Sequence, residues 1–197
     1  MKKTLGVIVV ALLLVGCSRQ GWHTKSIAGL MPPLRFTLTE DTGTTVHASD
    51  FRGHLTLLYF GYTSCPDVCP ATLAKLHAAL GRLPNDEGAN AQVLFVTVDP
   101  KRDTPAHLRK YTAHFGPQFI GLRASPEELT ALTKRYRVTY GYGKPDADGD
   151  YEVSHSSAVF VFDPRGKARL IIRSGDGVDA VAADLKRLMK DSGGEGA

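Results

Sequence analysis

The chain predicts an α/β domain with a mixed central sheet flanked by helices. Three observations carry this. Two continuous apolar runs, LTLLYF (55–60) and QVLFVTV (92–98), have strand length and no polar alternation, as expected for strands buried on both faces. Helical patterns follow each of them. A strand–turn–strand pattern and one more amphipathic segment close the chain, an order that belongs to a helix-covered mixed sheet. With 197 residues, 43% hydrophobic and 22% charged, the chain suffices for one domain with a proper core.

The first residues read as a leader. Met1-Lys2-Lys3 is a positive start, and Leu5 to Val15 is apolar apart from Gly6. That run is shorter than the roughly 20 residues a bilayer span needs but matches a signal-peptide core. Leu14-Val15-Gly16-Cys17 looks like a lipobox. It implies a lipoprotein-type signal peptide at 1–16 and lipidation of Cys17 as the mature N-terminus, in preference to a plain secretory signal or a short membrane anchor. The domain is then expected outside the cytoplasm, on the periplasmic side, attached to the membrane by lipid. Residues 17–33, polar and ending in Pro32-Pro33, read as a tether to a domain at 34–190. Removing Lys2 and Lys3 leaves 22 basic against 20 acidic residues, too weak a bias for a nucleic-acid partner.

Within the domain, residues 34–53 read as two short strands around a turn at Gly43. After the strand at 55–60, Leu73, Leu76, Leu80 and Leu83 recur at helical spacing from Pro70 onward, with proline tolerated in a first turn. The run at 92–98 leads to DPKRDTP (99–105), where Asp103 or Thr104 can cap a helix and Pro105 can start it. Asp103 is read as a capping residue in preference to a partner contact. FIGL (119–122) is a short strand. SPEELTALTKRY (125–136) is a helix with Ser125 as N-cap and Glu128 in capping-box position. Residues 139–151 read as a loop. AVFVFD (158–163) and ARLIIR (168–173) form a hairpin, 178–190 is the closing helix, and 191–197 is a frayed tail.

Two of the three cysteines lie in GYTSCPDVCP (61–70). Cys65 falls in a strand-to-helix turn and Cys69 at or just before a helix start, a thioredoxin-like arrangement with C-x-x-x-C in place of C-x-x-C. A helix N-terminus favours thiolate, and the thiolate is both nucleophile and metal ligand. The pair therefore fits a redox couple or two legs of a Cu(I) or Zn(II) site. As a structural staple it would do little, because so small a loop scarcely restricts the unfolded chain. Two ligands rarely complete a metal site. Of the seven histidines, His23 lies in the tether, His47 and His54 flank early strands, and His77, His107 and His114 lie on helices. His155, in a polar segment ahead of an apolar strand, is the third-ligand candidate. Asp67 is either a turn residue or a neighbour of the site. Asp99 lies beyond a strand's C-terminal end, where sites gather, and Tyr62 and Tyr151 read as packing or shielding residues.

GYTSCPDVCP, VTVDPKRDTP and VSHSSAVFVFDPRG, in this order and at these intervals, closely resemble the SCO/SenC family over residues 33 to 190. The resemblance implies a thioredoxin-like fold and copper ligands at Cys65, Cys69 and His155. It implies a redox-dependent metallochaperone, not a classical enzyme, assisting assembly of the CuA centre of cytochrome c oxidase. Expected partners are the CuA-bearing oxidase subunit or another periplasmic cuproprotein, a thiol reductant and the membrane. Cu(I) suits two thiolates and an imidazole; Cu(II) would need a water or other group to complete a more tetragonal site. The alternative function is a thiol-disulfide oxidoreductase that reduces the cysteines of a copper-receiving target. A peroxidase of peroxiredoxin type uses Thr-x-x-Cys, whereas position 62 is Tyr.

Overall fold

The computed structural model describes residues 21–84 and 90–193; the leader and Cys17 lie outside the described residues. Along the chain come β1 (Lys25–Ser26), β2 (Thr37–Glu40), β3 (Thr45–His47), a 3-10 turn (Ala48–Phe51), β4 (Leu55–Gly61) and α1 (Val68–Leu80). They are followed by β5 (Ala91–Thr97), α2 (Pro105–Ala113), β6 (Phe119–Arg123) and α3 (Pro126–Tyr136). Then come β7 (Tyr140–Tyr142), β8 (Val153–His155), β9 (Val159–Phe162), β10 (Ala168–Ile172) and α4 (Val178–Gly193).

The main sheet has the strand order β1-β10-β9-β4-β5-β6-β2-β3. Strands β4, β5 and β6 are parallel, β9 runs antiparallel to β4, and β2 runs antiparallel to β6. This is the mixed sheet expected from the apolar runs. Every residue of β4 and β5 is buried, which is why neither shows a polar alternation. Tyr136 of α3 packs on Phe160 and Phe162, alternate residues of β9, while α1 and α4 pack on each other. Burying one such aromatic side chain is worth about 1.5–3 kcal/mol, so the covered centre holds the frame and leaves the strand ends free for function.

Local chemistry explains the boundaries. At α3, Ser125 Oγ accepts from the Glu128 N–H and the Glu128 carboxylate accepts from the Ser125 N–H, the predicted capping box. At α2 the cap is Thr104, whose hydroxyl accepts from the His107 N–H. Asp103 is not a cap, contrary to the sequence reading; its carboxylate is consumed in the interior. Gly43 turns the chain between β2 and β3 at φ +91°, a conformation that suits glycine.

Two further readings change. From residue 21 the segment assigned to a tether is folded onto the domain. Thr24 and Ile27 are buried, Lys25–Ser26 pairs with β10, and the Asp184 carboxylate accepts from the backbone N–H groups of His23 and Thr24 and from the Thr24 hydroxyl. The region 139–151, read as loop, begins with β7, which pairs with β8 in a ribbon separate from the main sheet. His155 ends β8.

Candidate metal centre

Strand β4 runs straight into the cysteine segment. Its last residue, Gly61, sits under the site: a Cβ there would lie 2.8 Å from the Phe95 ring and 2.9 Å from Cys69 Sγ. Only a residue without a side chain lets the sulfur drop so close to the sheet. The chain then turns, with the Cys65 N–H donating to the Tyr62 carbonyl at 3.3 Å, and α1 begins at Val68. Cys69 therefore lies inside the first helical turn, and Pro70 beside it loses no hydrogen bond there. Asp67 occupies the N-cap position with no side-chain cap bond, and it is exposed.

The four-residue spacing makes the two thiols unequal. Cys69 is buried and Cys65 half-buried. Burial pushes the Cys69 thiol up to about 12. Burial also acts upward on Cys65. There it is outweighed by hydrogen bonds from the backbone N–H groups of Cys69 and Asp67 and from the Cys69 and Tyr62 side chains, so its net direction is down. The Cys69 N–H reaches Cys65 Sγ at 3.4 Å. This is the helix N-terminus acting on the first cysteine, not the second.

Strand β8 brings the third group from 86 positions away: His155 Nε2 lies 3.3 Å from Cys69 Sγ. His155 Nδ1 is 3.1 Å from the Ser156 carbonyl, which can only accept, so Nδ1 carries the proton and the Nε2 lone pair faces the sulfurs. Desolvation lowers the imidazole's proton affinity, against the opposing pull of the Ser156 and Phe60 backbone. Tyr59 and Tyr62 flank the ring, with centroids 6.1 and 5.7 Å away. One ligand atom from each of Cys65, Cys69 and His155 lies within 4.8 Å of the others, so a single ion could reach all three. The other described histidines join no such group. The cluster borders an open cleft of about 730 Å³ between the cysteine turn and the β7–β8 ribbon.

A latch holds that ribbon. Tyr151 donates to Asp99 Oδ1 at 2.8 Å, Arg102 Nε donates to Asp99 Oδ2 at 2.5 Å, and the Arg102 guanidinium lies 3.9 Å over the Tyr151 ring. Tyr142 donates to the Val98 carbonyl. Asp99 is thus an anchor for the strand carrying His155, and Tyr151 is more than packing. Two residues at the site were not singled out from sequence for these roles. Tyr59 donates to Cys69 Sγ at 3.5 Å, and Asp103 accepts from Thr63 and Thr97. Tyr59 lies in β4, two positions before Gly61, and strand alternation was the available signal.

The SCO1/SenC family model matches residues 32–190. Over 132 residues the chain is 42% identical to the mitochondrial SCO2 homolog of Bos taurus, covering 66% of this chain and 50% of that protein. The chain spans about half the length of the curated relatives it matches. The solution structure of apo Sco1 from Thermus thermophilus superposes with a TM-score of 0.77 at 35% identity, covering 87% of this chain and 99% of that one. The crystal structure of Arabidopsis thaliana ScoI with copper bound gives 0.75 at 33% identity, covering 81% and 98%. The fold is thioredoxin-like, as the strand-to-helix placement of the cysteines predicts, and the chain belongs to the SCO1/SenC family.

Proposed function

We propose that this chain is a copper metallochaperone, binding Cu(I) through Cys65, Cys69 and His155 and assisting assembly of the CuA centre of cytochrome c oxidase. The observation that carries the reading is the convergence of two sulfurs and one unprotonated imidazole nitrogen within 4.8 Å. Soft thiolates with an imidazole favour Cu(I) over harder ions. The similarity to a copper-bound relative supports the same choice of metal. Loading depends on redox state, because a Cys65–Cys69 disulfide would have no thiolate to offer. Copper then passes by ligand exchange to a cuproprotein acceptor, the CuA-bearing subunit or another of the same compartment. A thiol reductant keeps the pair open. Cys17 carries lipid after removal of residues 1–16 and holds the domain at the periplasmic side of the membrane. Among the described residues no helix is long and apolar enough to cross a membrane.

The test is a Cu(I) titration of the reduced full chain, in detergent without oxygen, against a competing chelator. Tight one-to-one binding is expected, weakened by His155→Ala and abolished by Cys65→Ser/Cys69→Ser. Wild-type binding no tighter than that of the cysteine-free variant would sink the reading.

The inequality of the cysteines favours a second reading, a thiol-disulfide oxidoreductase. The accessible Cys65 would attack a target disulfide, and the buried Cys69 would then resolve the mixed disulfide. The target gains two thiols, this chain ends as a disulfide, and the reductant restores it. On this reading both cysteines are needed and His155 is dispensable.

A further inference from the structure

The hydroxyl of Tyr59 is buried with the rest of its side chain, which is 0% exposed. Its hydrogen bond runs to Cys69 Sγ at 3.5 Å, ordinary reach for a sulfur acceptor. The ring rests on Phe95 and on the edge of His155, with centroids 5.9 and 6.1 Å apart. Thr72, buried one helical turn after Val68, is a neighbour of the same hydroxyl. One tyrosine therefore touches two of the three converging side chains from below, and Gly61 leaves the Cys69 sulfur free to come down to it.

We propose that Tyr59 is a positioning residue of this site, its O–H holding the Cys69 sulfur toward His155 and supporting negative charge on the buried member of the pair. This rests on the copper reading where it concerns metal. It goes beyond that reading because the same hydrogen bond acts on the thiol pair without metal. A sulfur buried in an apolar cradle has no water to solvate its charge, and a fixed donor supplies what water would. Tyr59 is suited to this because its packing on Phe95 fixes the direction of the O–H. The bond from His155 Nδ1–H to Ser156 does the matching work on the other side, so the facing atoms are set before any ion arrives. In a disulfide the Cys69 sulfur is a weaker acceptor, so the Tyr59 bond favours the reduced pair.

Tyr59→Phe removes the hydroxyl and keeps the ring. In the full chain, the expected result is a roughly tenfold loss of Cu(I) affinity, the size of one hydrogen bond to a charged group. The metal-free Cys65–Cys69 couple, equilibrated with glutathione buffers, should move toward disulfide by less, about threefold or roughly 14 mV more negative, because Cys69 is then a neutral thiol. Thr72→Val should move both in the same direction by less, and it serves if Tyr59→Phe does not fold. A merely structural role would lower thermal stability and leave the couple unmoved. A folded Tyr59→Phe variant with both quantities within twofold of wild type overturns the proposal. If wild type binds no Cu(I), the copper reading fails, and the metal-free couple alone decides the role of Tyr59.

Discussion

Asp103 and Thr63, forty positions apart, are locked together in the interior. The Asp103 carboxylate accepts the Thr63 backbone N–H at 3.1 Å and the Thr63 hydroxyl at 2.5 Å, and it also accepts the Thr97 hydroxyl. Asp103 is 0% exposed. The loop after β5 thus carries a clamp that holds the start of the cysteine turn against the sheet. Asp103→Ala leaves three buried donors without their acceptor. A stability loss of about 3 kcal/mol is expected by chemical denaturation, from the usual cost of unsatisfied buried groups. Weaker Cu(I) binding should accompany it. A loss below about 0.5 kcal/mol would show that the clamp does not hold the turn.

Gly61→Ala should damage the site through sterics alone. The new methyl would press on both Phe95 and Cys69 Sγ, and overpacking of this kind costs about 1–3 kcal/mol. Gly175→Ala, with nothing within 4 Å of its Cβ, is the control and should be neutral in denaturation and in metal titration. Equal behaviour of the two variants would refute the close-approach argument.

The cysteines should alkylate in a fixed order. Thiolate is the reactive form, so a lowered Cys65 reacts at a lower pH than a free thiol of about 8.5. Cys69, held near 12 and buried, stays protonated through neutral pH. Iodoacetamide at pH 7, followed by peptide mass mapping, should label Cys65 first. Labelling of Cys69 first would reverse the assignment. The same sign governs metal: binding must displace the Cys69 proton, so Cu(I) affinity measured from pH 6 to 8 should rise with pH and protons should be released.

The latch on the His155 ribbon is also testable. Tyr151→Phe removes the donor to Asp99 and leaves the ring under Arg102. A stability change of about 1 kcal/mol is expected, with faster hydrogen exchange confined to residues 140–155. Uniformly faster exchange over the whole domain would mean that Tyr151 supports the core instead.

The frame was legible where one local rule decides. The continuous apolar runs of β4 and β5, and the Ser125–Glu128 box, encode their elements within a few residues. The cysteine turn was equally plain, and its distant third member His155 stood out by its polar lead-in, with its ligand role implied by the family motif. What escaped depends on long-range partners. Asp103 looks like a helix cap because Asp before Pro105 satisfies the local rule; nothing local reveals Thr63. Lys25–Ser26 joins the sheet through backbone bonds that leave no side-chain signature. Asp184 reads as one more polar residue on an amphipathic helix, yet it is buried beneath the N-terminal segment. Tyr59 reads as apolar filling in a buried strand, and only the tertiary fold shows what its hydroxyl meets.

That capture of His23 and Thr24 by Asp184 would set a working radius if Cys17 carries the proposed lipid. With lipid on Cys17, the few residues left before His23 span at most about 20 Å when fully extended. On that proposal the domain would be moored close to the bilayer and could not roam like cargo on a long line. Copper held at the proposed site would then be offered only to acceptors whose receiving sites stand at a matching height above that membrane. Selection of the recipient would begin with altitude, before any surface is read.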